Sequence, residues 1–178
     1  MRFEQTPLIG GFTIDLERLE DDRGFFARSF CQEEFLARGL DPVVAQCSVS
    51  FNERRGTLRG LHYQAKPHEE AKLVRCTRGA IWDVIVDLRE QSATRYHWHA
   101  AELTADNRRA LYVPRGFAHG FQTLTDDSEV FYQMSEFYHP ECARGIRWND
   151  PILAIPWPVA DPIVSPRDRK FPLLQDVG

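Results

Sequence analysis

Apolar residues in this chain recur in short bursts, separated by clusters of Gly, Asp, Asn, Ser and Pro. The strongest burst is Ala80-Ile81-Trp82-Asp83-Val84-Ile85-Val86-Asp87, turned into by Gly79. Val43–Asn52, Thr57–Gln64 and Lys72–Arg78 precede it, with the Arg55-Gly56 turn and a polar loop through Pro67 between them. Tyr96–Leu103 and Arg109–Val113 follow, joined at Asp106-Asn107. Gly120–Leu124 and Glu129–Phe137 come next, joined at Asp126-Asp127-Ser128. Short strands at regular spacing with turn residues between them predict an all-β sandwich or barrel.

The two ends depart from that pattern. Between Phe12 and Phe30, two apolar segments flank Glu20-Asp21-Asp22-Arg23-Gly24, which predicts a hairpin. Cys31–Arg38 followed by Gly39 predicts a short helix with a glycine stop. Seven of the 11 prolines lie at or after Pro140, so Pro140–Pro172 is expected to be an irregular arm laid over the barrel. Within it, Ser165-Pro166-Arg167-Asp168 has a capping serine, a proline at the first helical position and an acid behind it, a helix start that would hold a carboxylate in place. With 178 residues the chain is expected to form one domain. N-terminal strands and the short helix would occupy 1–55, the barrel core 56–138 and the C-terminal arm 139–178.

A net charge of -4 argues against a nucleic-acid partner. Charge is uneven, however. From Asn52 to Gly79, seven basic residues (Arg54, Arg55, Arg59, Lys66, Lys72, Arg75 and Arg78) face only Glu53, Glu69 and Glu70, which points to a small anionic ligand. Cys31, Cys47, Cys76 and Cys142 form no Cys-x-x-Cys pair, and no secretory signal opens the chain; both predict reduced thiols in a cytoplasmic protein. No apolar run approaches a membrane span.

Candidate chemistry starts in Gly56-Thr57-Leu58-Arg59-Gly60-Leu61-His62-Tyr63-Gln64. Arg59 offers a fork for phosphate or carboxylate, and His62 the side-chain type best suited to a base near neutral pH. On a regular strand Arg59 and His62 have opposite parity, so both reach one pocket only if the strand is broken, and Gly60 is where a bulge is expected. Lys72 and Arg75 lie on the next strand, and Tyr132 and Tyr138 supply two phenols. Pro114-Arg115-Gly116-Phe117-Ala118-His119 is expected to be a tight turn aiming His119 out of a strand start. Its Pro-x-Gly-x-x-His spacing resembles the second motif of the cupin double-stranded β-helix, a jelly-roll barrel. The first cupin motif would give His-x-His, whereas here His62 is followed by Tyr63-Gln64. His62, His119 and either Glu69 or Glu70 would offer three metal ligands, and His97-x-His99 lies on one strand face, so a metal-dependent cupin enzyme is a second reading. His68 and His139, like His97 and His99, read as plain surface or sheet residues. A silent sugar-nucleotide binding module is a third.

Five segments in order carry a more specific resemblance: Gly56-x-Leu58-Arg59-Gly60-Leu61-His62-Tyr63-Gln64, Lys72-Leu73-Val74-Arg75-Cys76, Asp83-Val84-x-Val86-Asp87-Leu88-Arg89, Pro114-x-Gly116-Phe117-Ala118-His119-Gly120-Phe121 and Trp148-Asn149-Asp150-Pro151. Together they resemble the dTDP-4-dehydrorhamnose 3,5-epimerase family, cupin-fold nucleotide-sugar epimerases, from about Arg23 to Asp168. The resemblance implies a homodimeric enzyme without metal or cofactor, acting on a nucleotide-diphospho-4-keto-6-deoxy sugar. His62 would be the base, Asp168 its orienting carboxylate, Tyr132 the acid on the opposite face, and Lys72 the cation near the C4 oxygen. Arg59, His119 and Arg23 would hold the diphosphate and nucleotide. Arg23 would reach the partner's site through exchanged N-terminal strands, and Tyr138 would stack on the base.

Four departures from the family pattern fall on the nucleotide side. Arg28 stands where an acid is expected, Gln46-Cys47-Ser48 replaces Gln-x-Asn, Ala143-Arg144 replaces a glutamate, and Arg167 replaces a lysine. Glu53 or Glu141 would have to supply a missing carboxylate. The proton-transfer set is kept and the base-reading set altered, which predicts a nucleotide preference different from, or looser than, dTDP, with CDP, GDP or UDP as alternatives.

Overall fold

Most of the apolar bursts form strands, and successive strands pass from one sheet to another. The computed structural model describes residues 1–176; the last two residues of the expected C-terminal arm lie outside the described residues. The chain opens with β1 (Arg2–Gln5), β2 (Phe12–Asp15), and the predicted hairpin of β3 (Leu19–Asp21) and β4 (Gly24–Phe26). Helix α1 (Gln32–Leu36) is followed by β5 (Gln46–Asn52), β6 (Thr57–Gln64), β7 (Lys72–Arg78) and β8 (Ala80–Asp87). Then come β9 (Trp98–Thr104), β10 (Ala110–Val113), β11 (Phe117–Thr123) and β12 (Ser128–Met134). The tail contributes β13 (Ala143–Gly145) and β14 (Ile163–Val164).

One six-stranded sheet has the order β1-β2-β10-β7-β12-β5, and the other runs β13-β6-β11-β8-β9 with β14 beside β6. Between β5 and β12 the chain changes sheet at every step except β8 to β9. The turns at Asp106-Asn107 and Asp126–Ser128 are therefore corners between sheets. Strand spacing predicted an all-β sandwich or barrel, and the form it takes is the cupin-type jelly roll that the motif resemblance implies. Val74, Leu111, Val113 and Val130 of the first sheet meet Ile81, Ile85, Phe117 and Phe121 of the second in a shared core. Burial of each is worth about 1.5–3 kcal/mol. The other face of the second sheet is covered too: Leu61, Val84, Val86 and Ala118 pack against Ile146, Leu153, Ile155 and Leu174. That double cover explains why β8 reads as a continuous apolar run.

Helix α1 is too short to persist alone. Phe35, fully buried, holds it by edge contacts to the rings of Phe3, Phe30 and Tyr112 at 5.6, 4.9 and 5.7 Å. Gly39 terminates the segment at φ +69°, the left-handed conformation a glycine stop requires.

The C-terminal segment corrects the expectation of a wholly irregular arm. Two pieces of it join the second sheet, β13 antiparallel and β14 parallel to β6. Side chains bind the remainder to the sheet. Gln122 exchanges two hydrogen bonds with the Val159 backbone at 2.8 and 2.9 Å. Trp98 Nε1 donates to the Leu153 carbonyl, and Asp150 accepts from the backbone of Ile152, Leu153 and Leu174. The N-terminal strands close one edge of the first sheet. β1 pairs with β2 and β2 with β10 of the same chain, so their ladder bonds are met internally. The β3–β4 hairpin pairs only with itself and exposes Leu19 and Phe26.

Candidate active site

The first site element is a break in β6. Opposite β11, the register moves from His119↔His62 to Phe121↔Arg59, three residues on one strand against two on the other. The bulge falls at Gly60-Leu61, as expected, and brings Arg59 and His62 to positions facing inward residues of β11. Only glycine fits at Gly60: its φ is +129°, and a Cβ there would lie 2.6 Å from Gly120 Cα.

His62 Nε2 shares a 2.9 Å hydrogen bond with Asp168 Oδ1. Asp168 Oδ2 accepts the Gly60 N–H at 3.1 Å, and its own N–H donates to Ser165 Oγ at 3.0 Å. Ser165 thus does what the sequence predicts of it, although the helix it starts is a single 3-10 turn, Asp168–Lys170. Burial pushes the Asp168 carboxyl up, but the bonds from His62, Gly60 and Ser165 outweigh it and hold the carboxyl below its usual value. His62 is 39% exposed with the Phe171 ring edge against it, so the pair is fixed at the back and open in front.

The facing wall comes from the other sheet. Tyr132 on β12 and Lys72 on β7 line the same cleft as His62, which occupies about 460 Å³. Burial pushes the Tyr132 phenol far up, the Asp83 carboxyl adds to this, and Arg59 and Ser50 pull back. It therefore keeps its proton across the neutral range. Lys72 Nζ is paired with Glu70 Oε1 at 2.9 Å. Gln46, Ser48, Tyr138, Ala143, Arg144 and Arg167 also line the cleft, with Tyr138 held by the bond from its N–H to Gln46 Oε1.

Several expected residues stand elsewhere. His119 lies within β11, not at a turn, because Gly116 at φ +78° makes the turn before the strand begins. It is 4% exposed, bonded through Nε2 to Asp83 Oδ1 at 2.8 Å, with its ring edge-on to Tyr132 at 6.1 Å. It supports the cleft wall from behind. Arg59 bonds Asn52 Oδ1 through Nε at 2.7 Å, at the edge of the site. Arg23 sits on the exposed hairpin turn paired with Asp21, and Arg28 pairs with Glu34 at 3.3 Å; neither lines the cleft of its own chain. Glu141 is bonded to His139. Sequence reasoning missed Asp83 as a histidine partner and weighed Glu70 only as a metal ligand. The signal for Glu70 is its place two residues before Lys72, on the same side of an extended chain.

Among the described residues, His62, His119 and Glu69 or Glu70 do not come together as a three-ligand group, and Glu70 pairs with Lys72 instead. Among the described residues, the His, Cys, Asp or Glu side chains close enough together to hold an ion are His68, Glu136 and His139, none of which lines the cleft.

A His–Asp pair on one side of the cleft and a phenol and a lysine from the facing sheet form a constellation that can move protons next to a carbonyl. Comparison with known proteins gives the family. The family model described as dTDP-4-dehydrorhamnose 3,5-epimerase matches residues 5–176. The chain is 43% identical over 178 residues to the dTDP-4-dehydrorhamnose 3,5-epimerase of Methanothermobacter thermautotrophicus, covering 98% of this chain and 95% of the relative. It is 37% identical over 179 residues to a dTDP-4-dehydrorhamnose 3-epimerase of Streptomyces niveus, covering 99% and 85%. A crystal structure of the Bacillus anthracis dTDP-4-dehydrorhamnose 3,5-epimerase with TDP and PPi bound superposes with a TM-score of 0.93 at 43% identity, covering 97% of this chain and 99% of that one. On its fold, its motifs and its relatives, the chain belongs to the dTDP-4-dehydrorhamnose 3,5-epimerase family.

Proposed function

We propose that the chain is an isomerase that inverts C3, C5 or both of a nucleotide-diphospho-4-keto-6-deoxyhexose, of the dTDP-4-dehydro-6-deoxyglucose type, in deoxysugar biosynthesis. The observation that carries this is that His62 with Asp168 and the protonated Tyr132 stand on different sheets and face one cleft. A proton next to a ketone is weakly acidic, so its removal needs a positioned base and a cation for the enolate oxygen. His62 removes it, Asp168 holds the imidazole in one orientation and supports its charge, and Lys72 faces the C4 oxygen. Tyr132 delivers a proton from the other wall, which makes the step an inversion rather than an exchange.

Solvent-deuterium exchange into the keto sugar, read by proton NMR, tests this. Deuterium at both C3 and C5 is expected for a 3,5-epimerase. Deuterium at C3 alone makes the chain a 3-epimerase, and none at either carbon defeats the reading.

The nucleotide lies at the mouth, towards Gln46, Ser48, Tyr138 and Arg167, with Tyr138 against the base. The second subunit of a homodimer supplies Arg23. In support, the β3–β4 hairpin is unpartnered and exposes Phe26, the edge strand β5 exposes Val49 and Phe51, and Arg23 is remote from its own cleft. Mixing His62→Ala and Arg23→Ala subunits tests the exchange. Activity restored in the mixture places Arg23 across the interface; an inactive mixture keeps it in its own chain. The four cysteines are unpaired, which fits the cytoplasm. No helix among the described residues is long and apolar enough to cross a membrane.

A further inference from the structure

Glu70 is the one carboxylate among the described residues that line the cleft, where it stands beside the cations Lys72, Arg144 and Arg167. A fixed negative charge is out of place in a site that takes a nucleotide diphosphate, since it repels the charge of the substrate. Glu70 Oε1 is ion-paired with Lys72 Nζ at 2.9 Å, and each side chain is only 12% exposed. The pair is therefore not a solvent-screened surface contact. Stability does not account for it either, because a desolvated ion pair often holds a fold no better than apolar side chains of the same volume. The reason for the pair lies in the cleft.

The backbone that carries the pair is held on every side. Lys72 is the register partner of Val113 on β10 and of Met134 on β12. Ala71, buried in the cluster of Phe35 and Tyr112, exchanges two hydrogen bonds with Ser135. Its N–H donates to Ser135 Oγ at 2.8 Å, and its carbonyl accepts the Ser135 N–H at 2.9 Å. With Ala71 turned away from the cleft, Glu70 and Lys72 share the opposite side of an extended chain. Beyond its Cα, however, a lysine is a flexible four-carbon stem ending in a point charge. A cation stabilises a developing oxyanion best when it is already in place, so that nothing reorganises during the reaction. A carboxylate two positions away gives the ammonium a fixed anchor.

We infer that Glu70 is a positioning residue for Lys72, holding the ammonium where the C4 oxygen of the sugar gains charge as the enolate forms. The inference rests on the proposed reaction, in which Lys72 faces that oxygen. Glu70 acts through Lys72 alone and contacts neither the nucleotide nor the reacting carbons. Its effect falls on the chemical step and not on binding.

The test compares wild type with Glu70→Gln, which keeps the shape and removes the charge. At saturating keto sugar, deuterium exchange should slow by about 10- to 100-fold, less than the loss of about 10²- to 10³-fold typical when a stabilising donor is itself removed. Calorimetric affinity for dTDP should not change. In a Lys72→Met background the same substitution should cost nothing further, because residues that act as a unit are not additive. Should Glu70→Gln fail to fold, Glu70→Asp, which keeps the charge on a shorter stem, is read in its place and should lower the rate in the same direction by less. A second readout needs no turnover: acetylation of Lys72 by acetic anhydride, followed by peptide mass spectrometry. The chain has three lysines, and the exposed Lys66 and Lys170 serve as internal references. Relative to them, Lys72 should react several-fold faster in Glu70→Gln, since its amine is no longer held by a carboxylate. Wild-type exchange in the variant, a rate loss matched by lost dTDP affinity, a further loss in the Lys72→Met background, or unchanged Lys72 reactivity each overturns the inference. A wild type that exchanges nothing defeats the proposed reaction, while Lys72 reactivity still decides whether Glu70 holds the lysine.

Discussion

Two histidine–aspartate pairs lie side by side in this barrel, and their histidines are register partners on β6 and β11. His62–Asp168 and His119–Asp83 have nearly equal bonds, 2.9 and 2.8 Å. Their surroundings differ. Asp168 receives a backbone N–H on its second oxygen, and its imidazole partner opens to the cleft. Asp83 is fully buried, its Oδ2 has no partner among the described residues, and its histidine is enclosed. Burial pushes the Asp83 carboxyl up, with His119 and Lys72 pulling the other way, whereas Asp168 is held down. The same two residue types thus make a proposed base on one strand and a support for the cleft wall on the next. Access to the cleft and satisfaction of the second carboxylate oxygen separate the two.

The largest break in that comparison is His62→Ala. It should lower deuterium exchange by a factor of about 10² to 10⁴ or more while leaving dTDP binding nearly intact. The check is exchange rate by NMR beside calorimetric affinity; wild-type exchange in the variant removes His62 as the base. Asp168→Asn should follow it in direction with a smaller loss of rate.

Tyr132→Phe should split the reaction. Deuterium should still enter, because removal by His62 remains, but inversion should fail for want of the opposite proton. A normal yield of epimer would take the phenol out of the mechanism.

On the enclosed side the cost should appear in stability. His119→Ala leaves Asp83 buried with no partner, and breaking a buried pair costs about 3–5 kcal/mol. The urea midpoint should fall accordingly. The equivalent change at the open pair, His62→Ala, should move the midpoint far less, since His62 is partly solvated.

The two aspartates should also bend acid stability in opposite directions. Asp168 sits below its ordinary value of 3.8, so the unfolded chain binds the extra proton between the two values. Its contribution is complete above the ordinary value and lost as pH falls through the folded one. Asp83 sits above 3.8, so the folded chain binds the extra proton and stability drops as pH rises through that window. Urea midpoints from about pH 3 to about pH 6 for Asp168→Asn and Asp83→Asn should therefore change slope with opposite sign. Slopes of one sign would contradict the assignment.

The smallest effect concerns the mouth of the cleft. With Ser48 and Ala143 departing from the pattern that the resemblance implies, dTDP should be favoured over CDP, UDP and GDP only weakly, or another base preferred. Each lost hydrogen bond to a base edge is worth roughly 1–3 kcal/mol. Arg28 no longer bears on this within one chain, since it pairs with Glu34 outside the cleft. Competition titrations with the four diphosphates check it, and a strong preference for dTDP would cancel the effect of those departures.

Strand identity was legible in sequence because each burst carries its own turn residues, and local chemistry specifies local structure. β6, β7 and β8 have the predicted bounds, and the bulge at Gly60 followed from parity alone. Candidate site residues were legible too, but by two routes: His62 and Lys72 stand in two of the five ordered segments, whereas Tyr132 and Asp168 were reached through the family resemblance those segments carry. What the chain alone did not determine is which strands become neighbours. A turn such as Asp126–Ser128 looks the same whether it closes a hairpin or carries the chain to another sheet, and that choice depends on which faces the whole fold can bury. Tertiary structure therefore decided that His62 and Tyr132 face each other from different sheets. It decided that His119 is walled in while His62 is open, and that Glu70 answers Lys72. It also brought His68 and His139 into contact across more than sixty intervening positions, a distance no local pattern encodes. Residue types and strands follow from short-range sterics and hydrophobic patterning. Burial, pairing and access, which give those residues their chemistry, follow from long-range packing.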